Sequence, residues 1–174
     1  MSYSAIAVAN YFIDKSLKTG VDVTNMKLQK LVYFAHAVYM KSNDGEPLIL
    51  DPVIAMQHGP VIMSLYQELK QYGKSPITSL ITIARPTGDD LFAWQSVVPV
   101  IPSTDTNITS FLDFAWGKLS PMTAWQLRTA SHDPGGAWYK TVESQKINPN
   151  SEDELRRLPR NLTILDKTIQ ECGR

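Results

Sequence analysis

Cysteine is nearly absent: the 174 residues include one, Cys172, close to the C-terminus. A lone thiol closes no disulfide and makes no cysteine zinc site, so a hydrophobic core must hold the fold, and a reducing cytoplasm is the expected compartment. Net charge is also absent, with 17 basic and 17 acidic residues. A neutral chain has no general attraction for nucleic acid. No helix-turn-helix with a basic recognition helix is evident, and only the cluster Arg156, Arg157 and Arg160 argues the other way. Nucleic acid is therefore an unexpected partner. No apolar run approaches the roughly 18–20 residues that cross a bilayer. Asn10 and Asp14 interrupt the moderately apolar start, and no basic stretch precedes it, so neither a membrane span nor a signal peptide is expected.

The residues of catalysis are sparse as well. His36, His58 and His132 are the only imidazoles, and their spacing matches neither HExxH nor a helical ligand pair. No serine sits in GxSxG, and no glycine-rich loop follows a strand in a phosphate-cradling pattern. The expectation is a protein that is no enzyme, with no catalytic, cofactor or metal residues. The alternative is a small-ligand or enzymatic site in which His58, His132, Lys27 and Lys30 converge in one pocket.

What the chain does have is a 43% hydrophobic content, enough for a globular core. Its focus is the stretch from Thr24 to Ser42. Leu28, Leu31, Val32, Ala35, Val38 and Tyr39 recur at helical spacing, and Tyr33, Phe34, Ala37 and Met40 fill much of the other side. A helix apolar on most sides must be surrounded by protein. A first helix starts at Ser2 or Ser4, runs to about Leu17 on the stripe Ile6, Ala9, Ile13 and Leu17, and stops at Gly20. After the turn Asn43-Asp44-Gly45, the apolar runs 47–50 and 53–56, split by Asp51-Pro52, suit two short strands or an extended bend. His58-Gly59-Pro60 then reads as an elbow in which Pro60 takes the first position of a helix carrying Val61, Leu65, Leu69 and Tyr72.

Prolines at 76, 86, 99 and 102 exclude long helices over the next segment. Residues 77–83 and 92–100, on either side of the turn Gly88-Asp89-Asp90, predict a β-hairpin. Thr104 or Asp105 begins a helix with Ile108, Phe111, Leu112, Ala115 and Trp116 on one face, and Ser120-Pro121 begins another, carrying Met122 and Trp125. Trp138 follows the turn at 132–136 and should tuck into the body. Residues 153–158 form one or two helical turns, and Asn161 caps a last helix. The fold class is mostly α (α+β): a compact helical domain around a buried central helix at about 24–42, with a small β-hairpin at about 77–100. Residues 1–145 form the domain and 146–174 an extension of loop plus short helix.

Lys27 and Lys30 flank Gln29 at the start of the central helix. The plain reading lays their stems along the core edge with the ammonium groups in water, and the functional reading pairs them with a partner. Tryptophans at helical spacing usually belong to cores. Trp94, in the hairpin beside Phe92, is the one expected to be exposed, and exposed tryptophan is a frequent binding hot spot.

Three stretches resemble a known family. Val23-Thr24-Asn25-Met26-Lys27-Leu28-Gln29-Lys30-Leu31-Val32-Tyr33-Phe34-Ala35 is similar to its opening motif. Ile54 to Val61, followed by Leu65-Tyr66, resembles its Gly-Pro elbow, with Met56 where tryptophan is common and His58 where an aromatic is common. Leu127 to His132, then Trp138-Tyr139-Lys140, resembles its end motif, with Ser131 in place of threonine and Ala137 in place of proline. The family is that of the SocA/GepA-like phage-associated proteins, the Panacea-domain antitoxins, and the resemblance covers roughly residues 3–145. It implies a bacterial or phage cytoplasmic protein that neutralises the toxin of an adjacent gene by binding it. A variant of this function hands the toxin to a cytoplasmic protease. Family members pair with toxins of unrelated folds, so the shared residues Leu28, Gln29, Leu31, Tyr33, Gly59, Pro60, His132 and Trp138 are expected to be scaffold. Trp94, Phe92, Lys27 and Lys30 are the expected partner contacts.

Overall fold

Thr24 turns the chain into the central helix by accepting the Lys27 amide on its hydroxyl. In the computed structural model, which describes residues 2–88, 90–158 and 168 (at 90 and 91 the backbone only), this helix is α2, Asn25–Ser42. α1, Ala5–Thr19, is capped by Ser4 and ends on Gly20 at φ 72°, a left-handed turn that a side chain would strain. α1, α3, α4, α5 and the strand β2 all pack on α2. Leu28, Leu31, Val32 and Ala35 are fully buried. Periodicity marks a face but not its width: Val38 and Leu17, which count into the two stripes, are 43% and 50% exposed.

The elbow differs from its expected form. β1, Val53–Met56, and β2, Gly59–Ile62, form a two-stranded antiparallel hairpin in which Ala55 faces Pro60 and Met56 faces Gly59. Pro60 thus lies in a strand, and the helix α3 starts later, at Met63–Leu69. A proline is tolerated there because β2 has only one strand neighbour. Its other edge is met by a side chain: Gln29 accepts the Ile62 amide at 2.9 Å and donates to the Ile62 carbonyl at 3.3 Å. A 3-10 turn, Lys70–Tyr72, extends α3 and closes on Gly73.

The second hairpin also shifts. β3 is Ile83–Thr87, later than the expected 77–83, and β4 is Asp90–Val97, starting and ending earlier than the expected 92–100. Residues 77–83 are a strap instead. Ile77 and Ile81 are buried, and the Ile77 amide donates to Val23. Asn10 of α1 grips the strap from inside, accepting the Ile81 amide and donating to the Ile81 and Pro99 carbonyls. Strand and strap share a β-branched composition, so composition alone cannot separate them.

α4, Thr106–Leu119, is capped by Asp105 and stacks Trp116 on Phe12. α5, Ala124–Ser131, starts after the expected Ser120-Pro121: Thr123 and Gln126 form a reciprocal capping box, and Ser120 instead ends α4. Trp125 consequently faces outward, 63% exposed with Arg128 over its ring, and is not core. α6, Ala137–Ser144, carries Trp138, and α7, Glu152–Leu155, is a single turn whose Leu155 joins the same buried cluster. The expected last helix from Asn161 lies outside the described residues. The expected class, mostly helical with small antiparallel hairpins, describes the structure.

Candidate functional site

The polar residues of the opening motif are turned inward. Lys27 donates to the Ser120 carbonyl at 2.7 Å, and Lys30 donates to the Pro60 carbonyl at 2.7 Å. Neither ammonium group reaches water as expected, because the carbonyls at the end of α4 and inside β2 are buried and need donors. Lys30 is 2% exposed. Loss of hydration, helped by the nearby charge of Arg128, lowers its pKa to about 7, so the amine and ammonium forms coexist near neutrality. Burial also lowers the Lys27 pKa, against the pull of Asp22.

The three motif stretches meet at Gly59. Its φ of 101° lies where side chains are strained, and a Cβ would sit 2.8 Å from Ser131 Oγ, 2.9 Å from Lys30 Nζ and 3.1 Å from His132 Cε1. Only glycine fits, for reasons of both conformation and space. His132 Nδ1 faces the Arg128 carbonyl at 2.7 Å and Ser131 Oγ at 3.2 Å. Its ring lies 3.9 Å from that of fully buried Trp138, centre to centre. Trp138 Nε1 donates to the Met56 carbonyl at 2.9 Å, which ties α6 to the end of β1. Leu28, Leu31 and Tyr33 are buried in the core. Lys30 and His132 are therefore brought together, while Lys27 stands on Ser120 and His58 is exposed on the β1–β2 turn. His36 accepts the Ile49 amide at 3.4 Å, a structural contact. Among the described residues no group of three His, Cys, Asp or Glu side chains could hold a metal ion.

The junction has an acid limit. Burial chiefly, with Arg128 and Lys30 nearby, pushes the His132 pKa from 6.5 down to about 4, against the Arg128 carbonyl, which favours the charged ring. The Gln57 backbone acts the same way, but Nε2 makes no hydrogen bond of good geometry. Unfolded chains bind this proton near 6.5 and folded ones only near 4, so its stabilisation is complete above pH 6.5 and is lost as pH falls to 4. Allowing for the screening of a partly exposed ring, the loss is about 1–2 kcal/mol. Thermal melts at pH 6.5, 5.5 and 4.5 should fall more steeply for the native protein than for His132→Asn.

A groove of about 850 Å3 adjoins the junction, with Lys30 and His58 in its wall. Sequence reading missed it, because its walls come from segments far apart in the chain. Elsewhere, β3 and β4 pack mainly on each other. Phe92 and Trp94, two residues apart and so on one face of β4, are 93% and 61% exposed. Among the described residues no helix is long and apolar enough to cross a membrane.

Comparison with known proteins identifies the family. The family described as "Antitoxin SocA-like, Panacea domain" matches residues 28–139, from the first buried leucine of α2 to the residue after Trp138. The protein named "Antitoxin SocA" of Caulobacter vibrioides (strain NA1000 / CB15N) is 31% identical over 170 residues, covering 98% of this chain and 82% of the relative. No solved structure matches significantly. The matched span contains the whole Gly59 junction, and the chain belongs to the SocA-like antitoxin family with the Panacea domain.

Proposed function

We propose that this protein is a cytoplasmic antitoxin that neutralises the toxin encoded beside it by direct contact, and that the β3–β4 arm supplies part of the contact. The observation that carries the reading is the aromatic pair Phe92 and Trp94, large and exposed on an arm that packs mainly on itself. A two-stranded hairpin is marginal alone, and a partner laid on it would complete its burial. The family's junction supports the reading from the other side. Lys27 and Lys30 are held on inner carbonyls, so these two lysines serve the scaffold, and the arm offers an exposed contact.

The test is co-expression with the product of the adjacent gene, which alone must arrest growth. Rescue with a stoichiometric complex supports direct neutralisation. Rescue with disappearance of the neighbour and no complex replaces it by delivery to a protease. Trp94→Ala should melt within about 1 °C of wild type, as an exposed substitution does. It should weaken the complex about 30-fold or more, the scale of a hot-spot tryptophan. Isothermal titration measures the second, and an unchanged affinity would remove the arm from the interface.

A further inference from the structure

The groove beside the junction is enclosed by the first turns of α2, the β1–β2 turn, α3 with its 3-10 extension, and α7. Its volume, about 850 Å3, is in the range of built ligand sites. Met26, Met56 and Met63 line it, and thioether chains repack readily around a guest. Its charge has one sign. Lys30, Lys70, Lys74 and Arg156 line it, and no Asp or Glu among the described residues does. Lys70 and Lys74 are exposed and make no ion pair with described residues. Arg156 has a loose 3.6 Å contact with Asp153, both side chains exposed, which holds it weakly. Two polar groups sit deeper. Lys30 directs an N–H to the Pro60 carbonyl and stays buried in the wall. Asn25 donates to the Leu69 carbonyl, while its buried Oδ1 has no hydrogen-bond partner.

We propose that this groove binds an extended acidic segment of the partner protein, as a second contact separate from the arm. Carboxylates meet Lys70, Lys74 and Arg156, an apolar side chain enters between the methionines, and a backbone N–H donates to Asn25. Thioether walls suit a chain that alternates acidic and apolar side chains; a bare phosphate would pair with the cations but leave the methionine walls unfilled. The inference rests on the direct-contact reading above.

The experiment measures fluorescence anisotropy of the full chain with labelled 12-residue peptides tiling the neighbouring gene product. An acetylated (Glu-Leu)5 decamer serves as a probe that does not depend on that gene. An acidic tile and the decamer should both bind. The double substitution Lys70→Glu, Lys74→Glu, both on exposed side chains, should weaken each at least about tenfold, and raising salt from about 50 to 300 mM should weaken them several-fold. Trp94→Ala should leave peptide affinity unchanged. If the partner co-purifies with both proteins equally and no tile binds, the groove is overturned while direct contact stands. If no partner co-purifies, direct contact fails, and the decamer alone decides the groove. Displacement of the peptide by about 1 mM inorganic phosphate would make this a small-anion site and overturn the proposal. A concentration-dependent dimer abolished by the double substitution would overturn it in favour of a second copy.

Discussion

Leu31→Asp will not give a cooperatively folding protein. Leu31 is fully buried in α2, the helix on which α1, α3, α4, α5 and β2 all pack. The substitution removes about 2 kcal/mol or more of side-chain burial. It also puts a carboxylate where water cannot follow, a cost of several kcal/mol unless the group takes up a proton or finds a partner. The neighbouring Lys30 offers no rescue. Adjacent helical residues do not face each other, and its ammonium group is held on the Pro60 carbonyl. The total exceeds much of the roughly 5–15 kcal/mol by which a domain of this kind is stable. Leu31→Ala is the control. It leaves a cavity costing about 2–5 kcal/mol and should keep a cooperative, lowered melt. Circular dichroism melts of the three proteins decide the matter, and a Leu31→Asp transition near that of wild type would show that α2 is not the centre of the core.

The contrast between α2 and its surroundings shows what the sequence makes legible. The helix, its Thr24 cap and its buried leucines follow from local spacing, because the 3.6-residue period is a property of the helix itself. Its lysines do not. Whether an ammonium group points to water or to a buried carbonyl depends on what packs against it, here Ser120 and Pro60, 93 and 30 residues away. The same holds for Pro60: its fixed φ suits a helix start and a strand alike, and pairing with Ala55 decides for the strand. Trp125 and Trp138 look equivalent in sequence. The capping box at Thr123 sets the phase of α5 so that Trp125 faces out, while the turn before α6 aims Trp138 inward. The motif residues were readable as a set, but their meeting point at Gly59 and the groove beside it are tertiary facts. The exposure expected for Trp94 matches the structure because a proline-broken hairpin offers little for it to pack on.

Trp138→Ala should cost about 3–5 kcal/mol, the range for emptying a fully buried tryptophan site. Three consequences of the geometry add up here. The ring leaves a void in the core, the Met56 carbonyl at the end of β1 loses its indole donor, and the His132 ring loses the surface that covers it. At roughly 2–4 °C per kcal/mol for a chain of this size, the melting temperature should fall by about 6–20 °C. Trp138→Phe separates the contributions. It keeps most of the ring contact but removes the indole donor from the Met56 carbonyl, which keeps its ladder partner Gly59, at a cost of about 0.5–1.5 kcal/mol. The acid limb reports the third consequence independently. With Trp138 removed, water reaches His132 and its pKa returns from about 4 toward 6.5. Trp138→Ala should then be the less stable protein at neutral pH yet lose less on going from pH 6.5 to 4.5 than wild type does. NMR titration of the His132 ring checks that shift directly. A variant that melts near wild type and keeps the depressed His132 pKa would mean that the tryptophan neither fills the core at Gly59 nor shields the imidazole, and the junction would have to be held by Lys30 and Gln29 alone.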